Sequence, residues 1–332
     1  MNRLNFVLSM VLFSLLLPLA SAAETLTEPA KANDPLEQAL ELRSDGDLEA
    51  AAAALRKLIA ADAGHVEAKW QLGRTLYMQD QMDEAVEWMR KVAKAHPNVS
   101  KVQQILGEVV GTKAMNASIF SKMSLAKETR VAFQKAVELD PTNMAACDSL
   151  LSYYLQAPAI AGGGVDKAKA LADQMAKHDP VESTVAWARI HLHNDDSKKA
   201  IEAIDQGLAE NPGHRGLMLQ KGLLHYDREE YDKATVVYEA LLEADADDLD
   251  ALYQVGRNAA VSGRNLKRGA ECLRLYLEHD EDRSLPPHAW AEYRLGSILD
   301  HSGDKAGARA AYQRALKLDP DHEEAKKALK GR

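Results

Sequence analysis

The sequence predicts an all-α protein: a right-handed α-solenoid of about eight helix-turn-helix units, with insertions in units three and four and a C-terminal capping helix. Three observations carry this prediction. A short phrase recurs with a period close to 34 residues: Leu72-Gly73, Leu76, Ala85, Met89, Val92 and Pro97, then Leu295-Gly296, Leu299, Gly303, Ala308, Tyr312, Ala315 and Pro320. Within each period the apolar residues space as two amphipathic helices. Small residues mark the seams, with Gly on the first helix and Ala on the second. Larger Tyr, Met and Leu residues fill the space between layers, and Pro ends the second helix because it cannot continue it.

The elements follow in chain order. Met1-Asn2-Arg3 is a basic start, Phe6 to Leu19 is an apolar run, and Ala20-Ser21-Ala22 offers small residues for cleavage, so residues 1–22 read as a signal peptide. The run is short for a membrane span, and an uncleaved N-terminal anchor is the alternative. Residues 23–34 have no periodicity and read as a flexible leader, 35–322 as the solenoid, and 323–332 as a polar capping helix that closes its end.

Unit one, from about 32 to 65, places Ala39, Gly46, Ala51, Leu55 and Leu58 at the recurring positions, with Ala63 where Pro is usual; unit two is 66–99. In unit three a first helix from Lys101 to about Lys113 and a second from about Leu125 to Leu139 are separated by ten extra residues, 114–123. Unit four gains about five residues across Ala157 to Gly164, a segment apolar enough to fold back onto a neighbouring helix. Unit five keeps Trp187, Ala200, Ile204, Gly207 and Pro212 but is about two residues short. Unit six is 215–248, unit seven runs from 249 to about 284, and unit eight is 289–322.

These residues resemble the tetratricopeptide repeat, W-x2-L-G-x2-Y, then A-x3-F-x2-A, then P, in register over nearly all of the chain that follows residue 22. The segments Asn116-Ala117-Ser118 to Phe120 and Tyr153-Tyr154 to Gly163 resemble a subgroup of exported bacterial proteins of this family that has no assigned activity. The resemblance implies a non-catalytic scaffold that binds a protein or peptide partner. With the signal peptide, it implies a periplasmic address, with secretion as the alternative.

Composition narrows the partner. The 332-residue chain carries a formal net charge of −9, which argues against nucleic acid and gives no electrostatic reason to sit on an anionic membrane surface. Beyond the N-terminal run no stretch is apolar enough to span a membrane. The two cysteines, Cys147 and Cys272, fall three repeats apart and read as buried apolar residues, so stability should owe nothing to disulfides.

In this family the inner, concave surface is built from positions 2, 5, 9, 12 and 13 of each first helix. Those positions hold Trp70, Arg74, Tyr77, Trp187, His191, Tyr226, Tyr253, Arg257, Trp290 and Tyr293, types enriched at binding hot spots. They form the expected groove for an extended peptide or a helix, and an aromatic groove would equally stack on the rings of a glycan or another envelope polymer. Replacing Trp187 and Tyr253 with Ala is expected to weaken partner capture without changing melting. The insertions occupy turns on one edge, where Phe120, Tyr154 and Ile160 form a second expected contact patch. Family members that grip a chaperone's terminal carboxylate use Lys at position 5 and Asn at position 9; no such pair occurs here.

No metal, cofactor or catalytic constellation is predicted. His191 and His193, two apart on a helix, point to opposite sides. Asp245, Asp247, Asp248 and Asp250 lack the Gly and the distal Glu of a calcium loop and read as an inter-repeat turn with an N-capping Asp. Gly162-Gly163-Gly164 is not followed by Gly-Lys-Ser/Thr, so the nucleotide-loop signature fails and an inter-helix turn is left.

Overall fold

A computed structural model describes residues 34–281 and 285–331 of the chain. Among them every regular element is helical, and the chain divides into two compact units at Asn194/Asp195. The expected signal peptide and the leader as far as residue 33 lie outside the described residues. Asp34, expected as the last leader residue, caps the first helix by accepting the Leu36 N–H at 2.9 Å.

The first unit holds α1 (Pro35–Ser44), α2 (Leu48–Ala61), α3 (Val66–Met78), α4 (Met82–Ala95), α5 (Ser100–Asn116), α6 (Ile119–Leu139), α7 (Met144–Gln156), α8 (Val165–Met175) and α9 (Pro180–His193). The second holds α10 (Ser197–Glu210), α11 (Arg215–Asp227), α12 (Tyr231–Ala244), α13 (Leu249–Ser262), α14 (Leu266–Glu278), α15 (His288–His301), α16 (Lys305–Leu318) and α17 (Glu323–Lys330). The division falls in the turn between α9 and α10, inside the fifth predicted unit.

Helix starts are written in the sequence as caps. Asp47, Asn143, Asp179, Asp196, Asp248 and Asp304 each accept a backbone N–H three residues on, at 2.8–3.1 Å. His65 and His214 do the same through Nδ1, which fixes the proton of those rings on Nε2. The regular turns inside a pair run through a left-handed residue: Gly46, Asp80, Asp195, Glu229 and Gly303 have φ between 57° and 84°. The α13–α14 turn uses two, Gly263 at 69° and Asn265 at 52°.

The two inserted units turn differently: the α5–α6 turn has no left-handed residue, and the α7–α8 turn places Gly162 at φ 93° after a 3-10 turn. The ten residues expected between the helices of unit three are mostly helix: α5 runs on to Asn116, α6 begins at Ile119, and only Ala117 and Ser118 stay extended between them. Residues 114–123 contain no Gly or Pro to stop a helix, so the insertion lengthens the hairpin instead of looping out. Lys122 Nζ donates to the Met115 carbonyl at 3.2 Å across its tip. In unit four the segment does fold back. Ala159–Ala161 forms a 3-10 turn, and the Tyr153 hydroxyl stands 2.9 Å from the Ala126 carbonyl on α6 and 2.8 Å from the Ala161 carbonyl. Gly163 passes so close to Ala157 that a Cβ would lie 1.8 Å from its carbonyl oxygen.

Each unit has its own core. In the first, Leu55, Leu72, Leu76, Met89 and Ile105 are buried in one cluster and Leu151, Met175 and Ile190 in another. In the second, Tyr238, Leu252, Leu273 and Tyr276 form the main cluster, and Tyr312 and Ala325 seat the capping helix. Each fully buried Leu or Ile contributes about 1.5–3 kcal/mol. The large residue of a second helix covers the glycine of its own pair as well as filling the layer. A Cβ on Gly73 would stand 2.2 Å from Met89 Sδ, and one on Gly256 would stand 2.2 Å from Leu273 Cγ. Cys147 and Cys272 are buried free thiols, and burial pushes both up to about 11.

Candidate binding faces of the first helices

In the first unit, Trp70 and Arg74 on α3 are half-buried and Tyr77 is 39% exposed. The Lys101 ammonium, from α5, lies 5.5 Å from the centroid of the Trp70 ring. Arg43 on α1 donates to the Gln71 side chain, one turn from Arg74; burial and then the charge of Arg74 lower the Arg43 guanidinium below its usual range. On α9 the rings of Trp187 and His191 are 5.8 Å apart. Beside them Arg189 is held by Asp148 and by Ser152 Oγ at 2.7 Å. Burial, with Asp179 and Asp148 adding to it and Arg189 opposing, pushes the Glu182 carboxyl up to about 7.

In the second unit, the Arg257 guanidinium lies 3.9 Å from the centroid of the Tyr226 ring, and Tyr231 meets that ring edge-on at 5.6 Å. Trp290 and Tyr293 on α15 contact each other edge-on at 5.8 Å, with the Arg294 guanidinium 5.7 and 5.5 Å from their centroids. His322, whose side chain is fully buried, packs against both rings from the base of α17, at 4.3 and 5.1 Å.

Two expected contact residues are corrected. Tyr253 is only 6% exposed, and its ring packs 5.4 Å from that of Tyr276 in the core between α13 and α14. Position 5 of that helix is turned inward because the neighbouring ring offers a larger apolar contact than water does. Tyr154 is likewise buried, its hydroxyl accepting from Gln134 Nε2 at 3.0 Å. The rest of the expected insertion patch is open, with Phe120 92% and Ile160 84% exposed. Sequence reasoning missed three arginines on these faces. Arg43 stands at position 12 of unit one, a position already on the expected face, whereas Arg189 and Arg294 sit one or two places off the expected set.

The acidic run does act as a turn: Asp248 caps α13, and Arg215 bridges Asp248 at 2.6 Å and Asp250 at 2.7 Å. Among the described residues no group of three or more His, Cys, Asp or Glu gathers as a metal site would, and no helix is long and apolar enough to cross a membrane.

Stacked antiparallel helix pairs with glycine seams, and aromatic and arginine side chains on the first helices, define a helical-repeat scaffold. Tetratricopeptide repeat models match residues 42–109, 185–248 and 289–322. The chain is a tetratricopeptide repeat protein, a family of protein–protein interaction scaffolds. It is 27% identical over 142 residues to the general transcriptional corepressor ssn6 of Schizosaccharomyces pombe, covering 43% of this chain and 12% of that protein's length. A tetratricopeptide repeat protein from Parabacteroides merdae is similar at 11% identity and a TM-score of 0.49, over 80% of this chain and 97% of that one. PilW, a type IV pilus biogenesis factor, is similar at 17% identity and a TM-score of 0.47, over 68% and 98%.

Proposed function

We propose that this protein is a non-catalytic adaptor of the bacterial cell envelope that holds an extended peptide or a helix of a partner protein against its first helices. One observation carries the reading: the half-buried aromatic side chains of those helices are already stacked on cationic or imidazole groups, Trp187 on His191 and Tyr226 on Arg257. Prearranged rings lose little rotamer freedom on binding, which is how Trp and Tyr anchor partners at low entropic cost. The envelope address is supported by the signal-like pattern of Met1 to Ala22.

The test is photo-crosslinking in cells from an amino acid placed at Trp187 or Tyr226, with Val236, 70% exposed on the second helix α12, as the control position. The expected result is one dominant protein partner in the envelope fraction from 187 and 226 and little from 236. Equal capture from all three positions would sink the assignment of the binding face, and recovery of glycan in place of protein would transfer the face to an envelope polymer.

A further inference from the structure

Four arginines on second helices meet carboxylates from a neighbouring element: Arg56 with Glu84 at 3.0 Å, Arg90 with Glu128 at 2.7 Å, Arg268 with Glu239 at 2.9 Å, Arg314 with Glu292 at 2.6 Å. On the first helices α13 and α15 the pattern breaks. Arg257 and Arg294 are half-buried, and neither makes an ion pair with any described carboxylate. Arg257 donates only to its neutral neighbour Gln254, at 3.2 Å. Arg294 Nε is buried without a hydrogen-bond partner. Asp227 is close enough for the Arg257 charge to oppose the desolvation that lifts its carboxyl, but it forms no hydrogen bond to that guanidinium.

A guanidinium taken partly out of water without a counter-ion carries an uncompensated desolvation cost. In a chain with 50 acidic side chains against 41 lysines and arginines, that cost is not forced by any shortage of carboxylates. Stacking on an aromatic ring uses the face of the guanidinium and leaves its edge donors free, in the fork that fits a carboxylate. Arg257 is presented this way on Tyr226, and Arg294 lies over Trp290 and Tyr293. The two act on a common spot: burial lifts the Tyr253 phenol, and the charge of Arg294, a hydrogen bond between the Arg294 and Tyr253 side chains, and the charge of Arg257 oppose it.

We infer that the face formed by Tyr226, Arg257, Trp290, Tyr293 and Arg294 takes an acidic peptide segment, with Arg257 and Arg294 each receiving an Asp or Glu carboxylate of the bound chain. The inference rests on the peptide-binding reading above and adds the charge of the ligand. Each guanidinium has its own aromatic platform, which suits carboxylates spaced along an extended segment. Arg43 and Arg74 in the first unit are close to each other and likewise have no described carboxylate partner.

The test is selection of random 12-residue peptides displayed on phage against the full chain in low salt, then fluorescence polarisation of the selected peptides. Enrichment of Asp and Glu over the starting library is expected. The double variant Arg257→Gln/Arg294→Gln should weaken those peptides about tenfold or more, with helicity kept and the salt dependence of affinity flattened. Arg257→Gln alone should lose part of this and serves if the double variant melts early. Selected peptides that lack acidic residues, or that bind the double variant unchanged yet fail against Tyr226→Ala, overturn the acidic assignment and leave the peptide face standing. If no peptide is selected, both fall.

Discussion

The ring of Tyr238 occupies the space that a Cβ on Gly222 would need: the added atom would stand 2.3 Å from Cε1. Tyr238 is fully buried, so the ring has no free volume into which to move. The same relation joins Gly296 to Tyr312 at 2.6 Å and Gly107 to Phe133 at 2.4 Å. The glycine and the large residue are therefore one unit of packing, and each is explained only by the other.

Gly222→Ala should destabilise the second unit by about 1–3 kcal/mol, the usual cost of overpacking a filled site. Urea unfolding followed by far-UV circular dichroism checks it. A loss no larger than that of an exposed control with ordinary backbone such as Gly331→Ala would mean that Tyr238 can yield.

Glu229 turns the chain between α11 and α12 with φ at 58°, where the equivalent residue is glycine in two other turns of the array, Gly46 and Gly303. A glutamate in the left-handed region carries about 1–2 kcal/mol of strain that glycine does not. Glu229→Gly should raise the melting temperature, while Gly303→Ala, at φ 83°, should lower it. Calorimetry on the two variants decides the sign of each.

Tyr253→Ala should cost several kcal/mol, in the ~3–5 kcal/mol range of emptied aromatic sites, because the residue is part of the α13–α14 core. A melting temperature within a degree or so of the parent would return Tyr253 to the binding face.

Glu182 supplies a pH dependence. Its folded carboxyl titrates at about 7, above the ordinary 4.5, because burial and the neighbouring Asp179 and Asp148 disfavour its charge. Between those values the folded state binds more protons than the unfolded one, so this group's contribution is fully present below 4.5 and is lost as pH rises to 7. Glu182→Gln should flatten that decline and leave the variant more stable than the parent at pH 8, as urea midpoints at pH 4 and pH 8 would reveal. Parallel pH profiles for the two proteins would remove Glu182 as the cause.

Much of the fold was legible because burial imposes a period. An apolar stripe on a helix must recur every three or four residues, and a layer that repeats must repeat its seam, so Leu72-Gly73 and Leu295-Gly296 announced the same packing. One helix start was legible as a cap, in the Asp245–Asp250 turn, where Asp248 caps α13. The insertion in unit three was legible as extra length but not as helix, since its end depends on where α5 and α6 stop supporting each other. The proposed binding faces were legible only as helix positions, Trp187, Tyr226 and Arg257 among them, and a position fixes only the angle around the helix.

The sequence by itself determined that this chain is a tetratricopeptide array of paired helices, because each pair is specified by contacts between residues close along the chain. Only the tertiary structure decided that Tyr253 turns into the core while Tyr226 lies under Arg257, and that Arg294 has no carboxylate partner among the described residues. Those outcomes depend on which side chain of the next layer fills each space, and that competition among packed neighbours has no signature in local order along the chain.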